Sequence, residues 1–442
     1  MPAPPAIDGP AYLRLVGLGA LVGIPAALLA VGFIALVHQL EHLLWTELPD
    51  ALGASSPPWY LVIGLPVVGA AIVVFARTLL PGDGGHAPLG GINATPTPVR
   101  YAPGVALAAL GALPFGAVLG PEAPLIALGS VVGIGLTSWV RLGDEERAVV
   151  ATAGSFAAIA ALFGGPLVAG LLLVEAGISR GAALIAGLLP GLVAAAIGYS
   201  IFIGFGDWGG LREATLTVPD LPGYTTLRVV DLLLAIVIGI VAALLMSLVH
   251  GTGRAIERRG PGKLGMAGLL IAGGLVVGLI AQLADVLGAN SQDVLFSGQT
   301  SIPAVVAEGS FGIVLLLVVA KSLGYMICLA CGFRGGPVFP AIFIGIALAM
   351  LAVVAFDVSP TLAVSVGTAA GLASATRLLF AALLFATLIA GSAGFDTVPA
   401  VVLAASAAWI VATTLERRLE KIEAEAGAAQ ARGSGPSVAS SS

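Results

Sequence analysis

The residue best placed to do chemistry in this chain is a lone carboxylate. Glu122 lies in GAVLGPEAPLIALG, residues 116–129, and no other charged residue occurs between Arg100 and Arg141. A run this apolar belongs in a membrane, where an acid costs about 3 kcal/mol by insertion scales and marks function by default. The plainer reading is an acid paired to a cation or kept protonated in a packed core. The flanking residues favour function. Pro121 and Pro124 suit the first turn of a helix, where a missing N–H is not needed. The free N–H groups of such a start, with the positive end of the helix dipole, attract an anion. An ionised Glu122 can fill that anion site itself. Once protonated it loses the attraction and leaves the site to a mobile anion, so the expected chemistry is a gate worked by protons and competing anions.

The surrounding composition supplies the membrane. Of 442 residues, 58% are hydrophobic and 10% charged, with a mean hydropathy of +1.06, which identifies an all-α integral membrane protein and excludes a soluble domain. The net charge of −5 gives no reason to expect a nucleic-acid partner. Apolar runs recur at 13–37, 59–76, 101–140, 148–174, 181–206, 229–250, 264–284, 310–333, 335–356, 358–376, 378–395 and 397–415. Most are near the length that crosses a hydrocarbon core, so a polytopic bundle of about ten or more segments follows. The 61 glycines and 28 prolines fall inside these runs as well as between them, which predicts broken, re-entrant helices facing a cavity.

The N-terminal residues 1–12 lack the basic region and cleavage site of a secretory signal, so 13–37 reads as a retained helix. Basic residues gather at 254–263 and 416–432, which places those segments and the C-terminus in the cytoplasm of a multi-pass cell-membrane protein. Residues 416–442 read as a cytoplasmic tail that ends disordered in GSGPSVASSS and carries no regulatory domain.

The chain also repeats itself. PEAPLIALG (121–129) and PVFPAIFIG (337–345) share P-x-x-P-x-x-x-x-G at an offset of 216, and small-residue helices after each carry Gly154 and Gly371, 217 apart. Duplicated halves, about 13–205 and 228–415, with proline- and glycine-interrupted segments in matching places, point to a transport site between repeats. The second motif carries Val338 where the first has Glu122, so one half alone is gated.

Other polar residues read more blandly. Cys328 and Cys331 form C-x-x-C in an apolar run and suit packing rather than redox or zinc chemistry, and the four scattered histidines suggest no metal. Lys321 either draws anions along the path or snorkels to an interface. Arg334 and Arg377 read as interface anchors at helix ends. GLGALVG (17–23) suits close helix packing rather than a dinucleotide, and Ser155 has no matching histidine for an intramembrane protease.

These motifs together resemble the CLC family of chloride channels and proton-coupled chloride antiporters, over roughly residues 10–415. The family's G-R-E-G-P motif is similar to GPEAP, Gly120–Pro124, which puts its gating glutamate on Glu122. Its G-x-F-x-P motif resembles GPVFP, with Val338 at the aromatic position and Phe339 one residue later. FGGPLVAGLLLVEAG (163–177) resembles the helix that ends in the family's acidic pair.

The resemblance implies a CLC-like inverted-repeat helical bundle, no cofactor, no enzymatic activity and a homodimer with one pore per subunit. It implies anion contacts at Gly85, His86, Ala87, Pro88, Gly120, Pro121, Ala123, Gly336, Val338, Phe339 and Pro340. The family's central serine motif is matched loosely by GDGGHAP (82–88); Gly85, with backbone N–H groups alone, is preferred at the serine position because an ionised Asp83 would repel the ion. The family's acidic pair falls on Glu175 and Ala176, so the relay position is Ala176. Glu175, five residues before Arg180, is a proton-path candidate or a paired surface acid, and no tyrosine follows Tyr325. The expected function is transport of small inorganic anions, chloride first. Passive conduction is slightly favoured over proton exchange, with a fluoride-selective form and a membrane-embedded enzyme or scaffold as further alternatives.

Overall fold

The computed structural model describes residues 9–177, 182–209, 216–260, 262 and 265–433. The first half runs α1 (Gly9–His42), α2 (Leu48–Ala51), α3 (Trp59–Leu79), α4 (Ala102–Ala112), α5 (Glu122–Thr137), α6 (Asp144–Phe163), α7 (Pro166–Glu175) and α8 (Ala182–Gly209). The second runs α9 (Val229–Arg259), α10 (Gly265–Val286), α11 (Ser291–Val294), α12 (Ile302–Ala307), α13 (Phe311–Cys331), α14 (Val338–Phe356), α15 (Pro360–Thr376), α16 (Leu379–Ala390) and α17 (Val398–Gly433). Eight of the described helical stretches are long and apolar enough to cross a membrane, and four shorter apolar ones accompany them, so the bundle of ten or more segments expected from the sequence is present.

Local chemistry sets the helix ends. α6 opens with Asp144, Glu145 and Glu146 against its positive dipole end, and the Glu146 carboxylate accepts from the Gly143 N–H at 2.9 Å. It ends at Gly164, whose φ of 70° is left-handed. The apolar run 101–140 does not form one helix: it breaks into α4, an irregular stretch and α5, whose first turn holds Glu122 and Pro124. α17 passes through residue 415 without interruption to Gly433, so residues 416–433 continue a helix; Arg180, Lys263 and residues 434–442 lie outside the described residues.

The duplication is built into the fold. The helix starts Glu122 and Val338, Asp144 and Pro360, and Ala182 and Val398 are each 216 positions apart. The packing repeats as well. A Cβ on Gly129 would meet the Gly154 carbonyl oxygen at 2.5 Å, and one on Gly345 would meet the Gly371 Cα at 2.8 Å. In both halves these glycines let two helix backbones touch, α5 on α6 and α14 on α15. Small-residue contacts of this kind are how helices associate where lipid offers no hydrophobic drive.

Candidate functional site

The two repeats meet at the motifs themselves. Gly120 N–H donates to the Gly336 carbonyl at 2.8 Å and Gly336 N–H donates to the Gly120 carbonyl at 2.6 Å, an isolated antiparallel bridge between equivalent residues. The bridge holds the starts of α5 and α14 side by side, with Pro121 and Pro337 as their N-caps and Pro124 and Pro340 in their first turns. These prolines cost no backbone hydrogen bonds there.

Glu122 sits across this junction and is fully buried. Its Oε1 accepts from the Val338 N–H, at the start of the opposite repeat, at 2.5 Å. The backbone N–H groups of Glu122 and Phe339 also face the carboxyl. Oε2 has no hydrogen-bond partner among the described residues, and no salt bridge is found for the group among them. The side chain therefore sits where helix-start N–H groups converge, the position an anion would take. Gly120 and Gly336 are required beside it, because a Cβ on either would strike the Glu122 carboxyl.

Phe339 lies 5.4 Å, centroid to centroid, from Phe163, which packs edge-on to Phe385 at 4.7 Å.

The central segment reaches the same place. Gly85 and His86, with Gly84, Val105, Ala123, Pro124, Ala127, Arg334 and Gly335, line a cavity of about 10 Å³, room for one water-sized body. Ala87 and Pro88 lead into a single 3-10 turn, Pro88–Gly90, and no long helix begins there. The Gly85 N–H donates to the Gly82 carbonyl at 3.0 Å, so Gly85 supplies wall rather than the free donor expected of it.

Positive charge comes instead from Arg334. This residue is 5% exposed and so is not an interface anchor. Its Nε donates to the Asp83 carbonyl at 3.0 Å and its guanidinium to the Asp83 carboxylate at 2.6 Å. Arg77 pairs with the same carboxylate at 2.8 and 3.0 Å. Asp83 is thus neutralised by two arginines and is absent from the cavity wall. The sequence put Arg334 at an interface rather than beside the site; the signal for the site was an arginine placed just before Gly335 and Gly336, with uncharged Val118 at the matching position of the first repeat.

Two further expectations change. Glu175 is a paired, partly exposed acid whose partners are backbone groups: it accepts from the N–H groups of Leu379, Phe380 and Ala381 at 3.1, 2.9 and 2.7 Å, capping α16. Lys321 neither snorkels nor faces the anion junction. It is fully buried, donates to the carbonyls of Asp293 and Leu295 at 3.0 and 2.5 Å, and lies over the Phe343 ring. Cys328 packs as expected, its sulfur accepting from the Val118 N–H at 3.2 Å.

A family model described as voltage gated chloride channel matches residues 86–413, well over half of the chain and spanning both helix starts. The chain belongs to the voltage gated chloride channel, or CLC, family. Relatives of this CLC chain include the ion-transport protein YfeO of Escherichia coli (strain SMS-3-5 / SECEC), 27% identical over 343 residues that cover 75% of this chain and 77% of YfeO. YfeO of Escherichia fergusonii is likewise 27% identical over 343 residues. Among solved structures, a slow cyanobacterial Cl−/H+ antiporter aligns with a TM-score of 0.73 at 18% identity, over 92% of this chain and 98% of that one. A CLC-type fluoride/proton antiporter aligns with a TM-score of 0.66 at 22% identity, over 91% and 96%. CLC-family anion transport by a multi-pass helical membrane protein is therefore the activity of the family to which this chain belongs.

Proposed function

We propose that the protein exchanges a small inorganic anion, chloride first, for protons, and that Glu122 is both the competitor of the anion and the carrier of the proton. The observation that carries this is the Glu122 carboxyl itself, buried on the Val338 N–H at 2.5 Å with Oε2 unpartnered. An ionised carboxylate matches the backbone donors there as a chloride would. A protonated one brings a donor to a place that needs an acceptor, so it leaves and an anion replaces it. Each cycle of proton binding and anion entry at one position ties the two movements together.

The remaining anion contacts would be the N–H groups of Val338 and Phe339, with Arg334 raising the local anion concentration across the cavity wall. Pro121, Ala123, Gly336 and Pro340 would shape the site without donating to the ion. The basic end at Arg254–Arg259 would face the cytoplasm, with the C-terminus on the same side. Two such chains would form a homodimer with a pore in each.

Passive conduction is the second reading, and Ala176 favours it, because an alanine stands at the family's relay position and Glu175 beside it is committed to capping α16. A fluoride preference draws support from the cavity of about 10 Å³. The test is efflux of chloride, fluoride, nitrate and sulfate from liposomes holding the purified protein, with internal pH recorded throughout. Proton uptake against its gradient, driven by chloride, supports exchange. Chloride efflux with no proton movement supports conduction, and efflux of none of the four anions contradicts both.

A further inference from the structure

Proton exchange at Glu122 needs a second proton route to the opposite face, and neither Ala176 nor the capped Glu175 offers one. A different line of polar groups leaves Glu122 within the bundle. Tyr325 on α13 is fully buried, and its helix packs on the stretch that leads into Glu122: a Cβ on the neighbouring Gly324 would meet Val118 at 3.0 Å, and Cys328, one turn on, accepts from the Val118 N–H at 3.2 Å. Its hydroxyl lies 3.4 Å from Nε2 of His250 on α9, and the two rings are 5.9 Å apart at 59°. One turn beyond His250 on α9 stands Arg254, which reaches Glu416 on α17 and, through it, Arg377 at the end of α15. Arg254 and Arg377 donate to the two oxygens of Glu416 at 2.8 and 3.2 Å. Glu416 is 30% exposed, so the line reaches the surface of the bundle.

We propose that Tyr325 and His250 relay protons between Glu122 and the Arg254–Glu416–Arg377 cluster, so that this chain carries its proton along a path through α13 and α9 rather than along α7. The inference rests on the exchange reading above. Each group has the needed chemistry. A phenol accepts on one lone pair while giving its own proton away, and an imidazole presents a nitrogen to each side.

The steps balance as a hop of one proton. Once protonated and released from the Val338 N–H, Glu122 swings toward α13, and its carboxyl O–H breaks as the phenol oxygen gains that proton. The phenol's original proton passes to Nε2 of His250, and the ring releases its other N–H proton to Glu416 or to water at the cluster. No electron changes hands and each group returns to its starting form when the rings reset. The two arginines fix both oxygens of Glu416 beside the ring, and their charge would hold mobile anions near that mouth, where the two paths would separate.

The experiment records chloride efflux and proton uptake together in liposomes holding the wild type, His250→Gln and Tyr325→Phe. The expected result is chloride efflux retained in both variants, with proton uptake lower by about tenfold or more. Chloride efflux itself reports that a variant has folded. If Tyr325→Phe loses both movements, His250→Gln decides: lost proton uptake with kept chloride efflux supports the relay, and both kept overturns it. Wild-type chloride efflux without proton movement would defeat the exchange reading and the relay together. Proton uptake undiminished in both variants would overturn the relay alone and leave exchange standing.

Discussion

Gly120 and Gly336, equivalent residues 216 positions apart, donate their N–H groups to each other's carbonyls at 2.8 and 2.6 Å. Antiparallel pairing of equivalents is what a local two-fold relation between halves produces, so the symmetry of the molecule passes through its candidate anion site. The two helix starts converge there, and the sequence breaks the symmetry where it matters for charge, with Glu122 against Val338.

Filling the space beside the gate should prop it open. Gly336→Ala would place a Cβ against the Glu122 carboxyl and cost about 1–3 kcal/mol if the side chain stayed. The carboxyl should therefore be expelled. Chloride efflux should become faster at neutral pH and lose most of its dependence on pH, and adding Glu122→Ala should change little further. A Gly336→Ala protein with wild-type pH dependence would show that the carboxyl does not need this space.

The Asp83 clamp should matter for anion entry more than for folding. Arg334→Gln removes a guanidinium from the cavity wall and breaks the 2.6 Å pair, but Asp83 is 58% exposed and keeps Arg77. A stability loss of only about 1 kcal/mol is expected. Chloride transport should saturate at several-fold higher concentration, and Arg334→Lys should recover part of the loss. Unchanged saturation in Arg334→Gln would remove this residue from the path.

Lys321 should prove structural. Lys321→Met keeps the bulk but leaves the Asp293 and Leu295 carbonyls unpaired in a buried setting, at about 1–3 kcal/mol each. The melting temperature in detergent should fall clearly, while the order of permeating anions in the protein that remains folded stays the same. A changed anion order with unchanged melting would place Lys321 on the path after all.

Glu175→Gln separates capping from proton transfer. The carboxylate holds three N–H groups of α16, and losing its charge should cost about 0.5–2 kcal/mol of stability. The number of protons moved per chloride should not change. A fall in that ratio at constant chloride flux would return Glu175 to the proton path.

Much of the fold was legible because its signals are local and repeated. Apolar length marked the spans, and the P-x-x-P-x-x-x-x-G pair located both helix starts, since paired prolines of this spacing suit a first turn, where no N–H is needed. Glu122 was legible for a related reason: a single charge in forty apolar residues has few explanations. What sequence alone did not give were partners set by long-range packing. Arg334 meets Asp83 across 251 positions and Glu175 meets α16 across more than 200, distances over which no periodicity carries information. Lys321 was misplaced because its choice between snorkelling and the anion path left out a third outcome, carbonyls of α11 that turn inward. Tyr325 and His250 lie 75 positions apart, and only the packing of α13 against α9 brings them together.

The central claim, that protonation of Glu122 yields the site to an anion, is tested most directly by chloride efflux from liposomes as external and internal pH are lowered together, in the wild type and in Glu122→Ala. A neutral Glu122 no longer suits the backbone donors, so wild-type efflux should rise as pH falls. Glu122→Ala should be fast and flat across the same range. Wild-type efflux that falls on acidification, or an alanine variant that keeps the wild-type pH profile, would contradict the account.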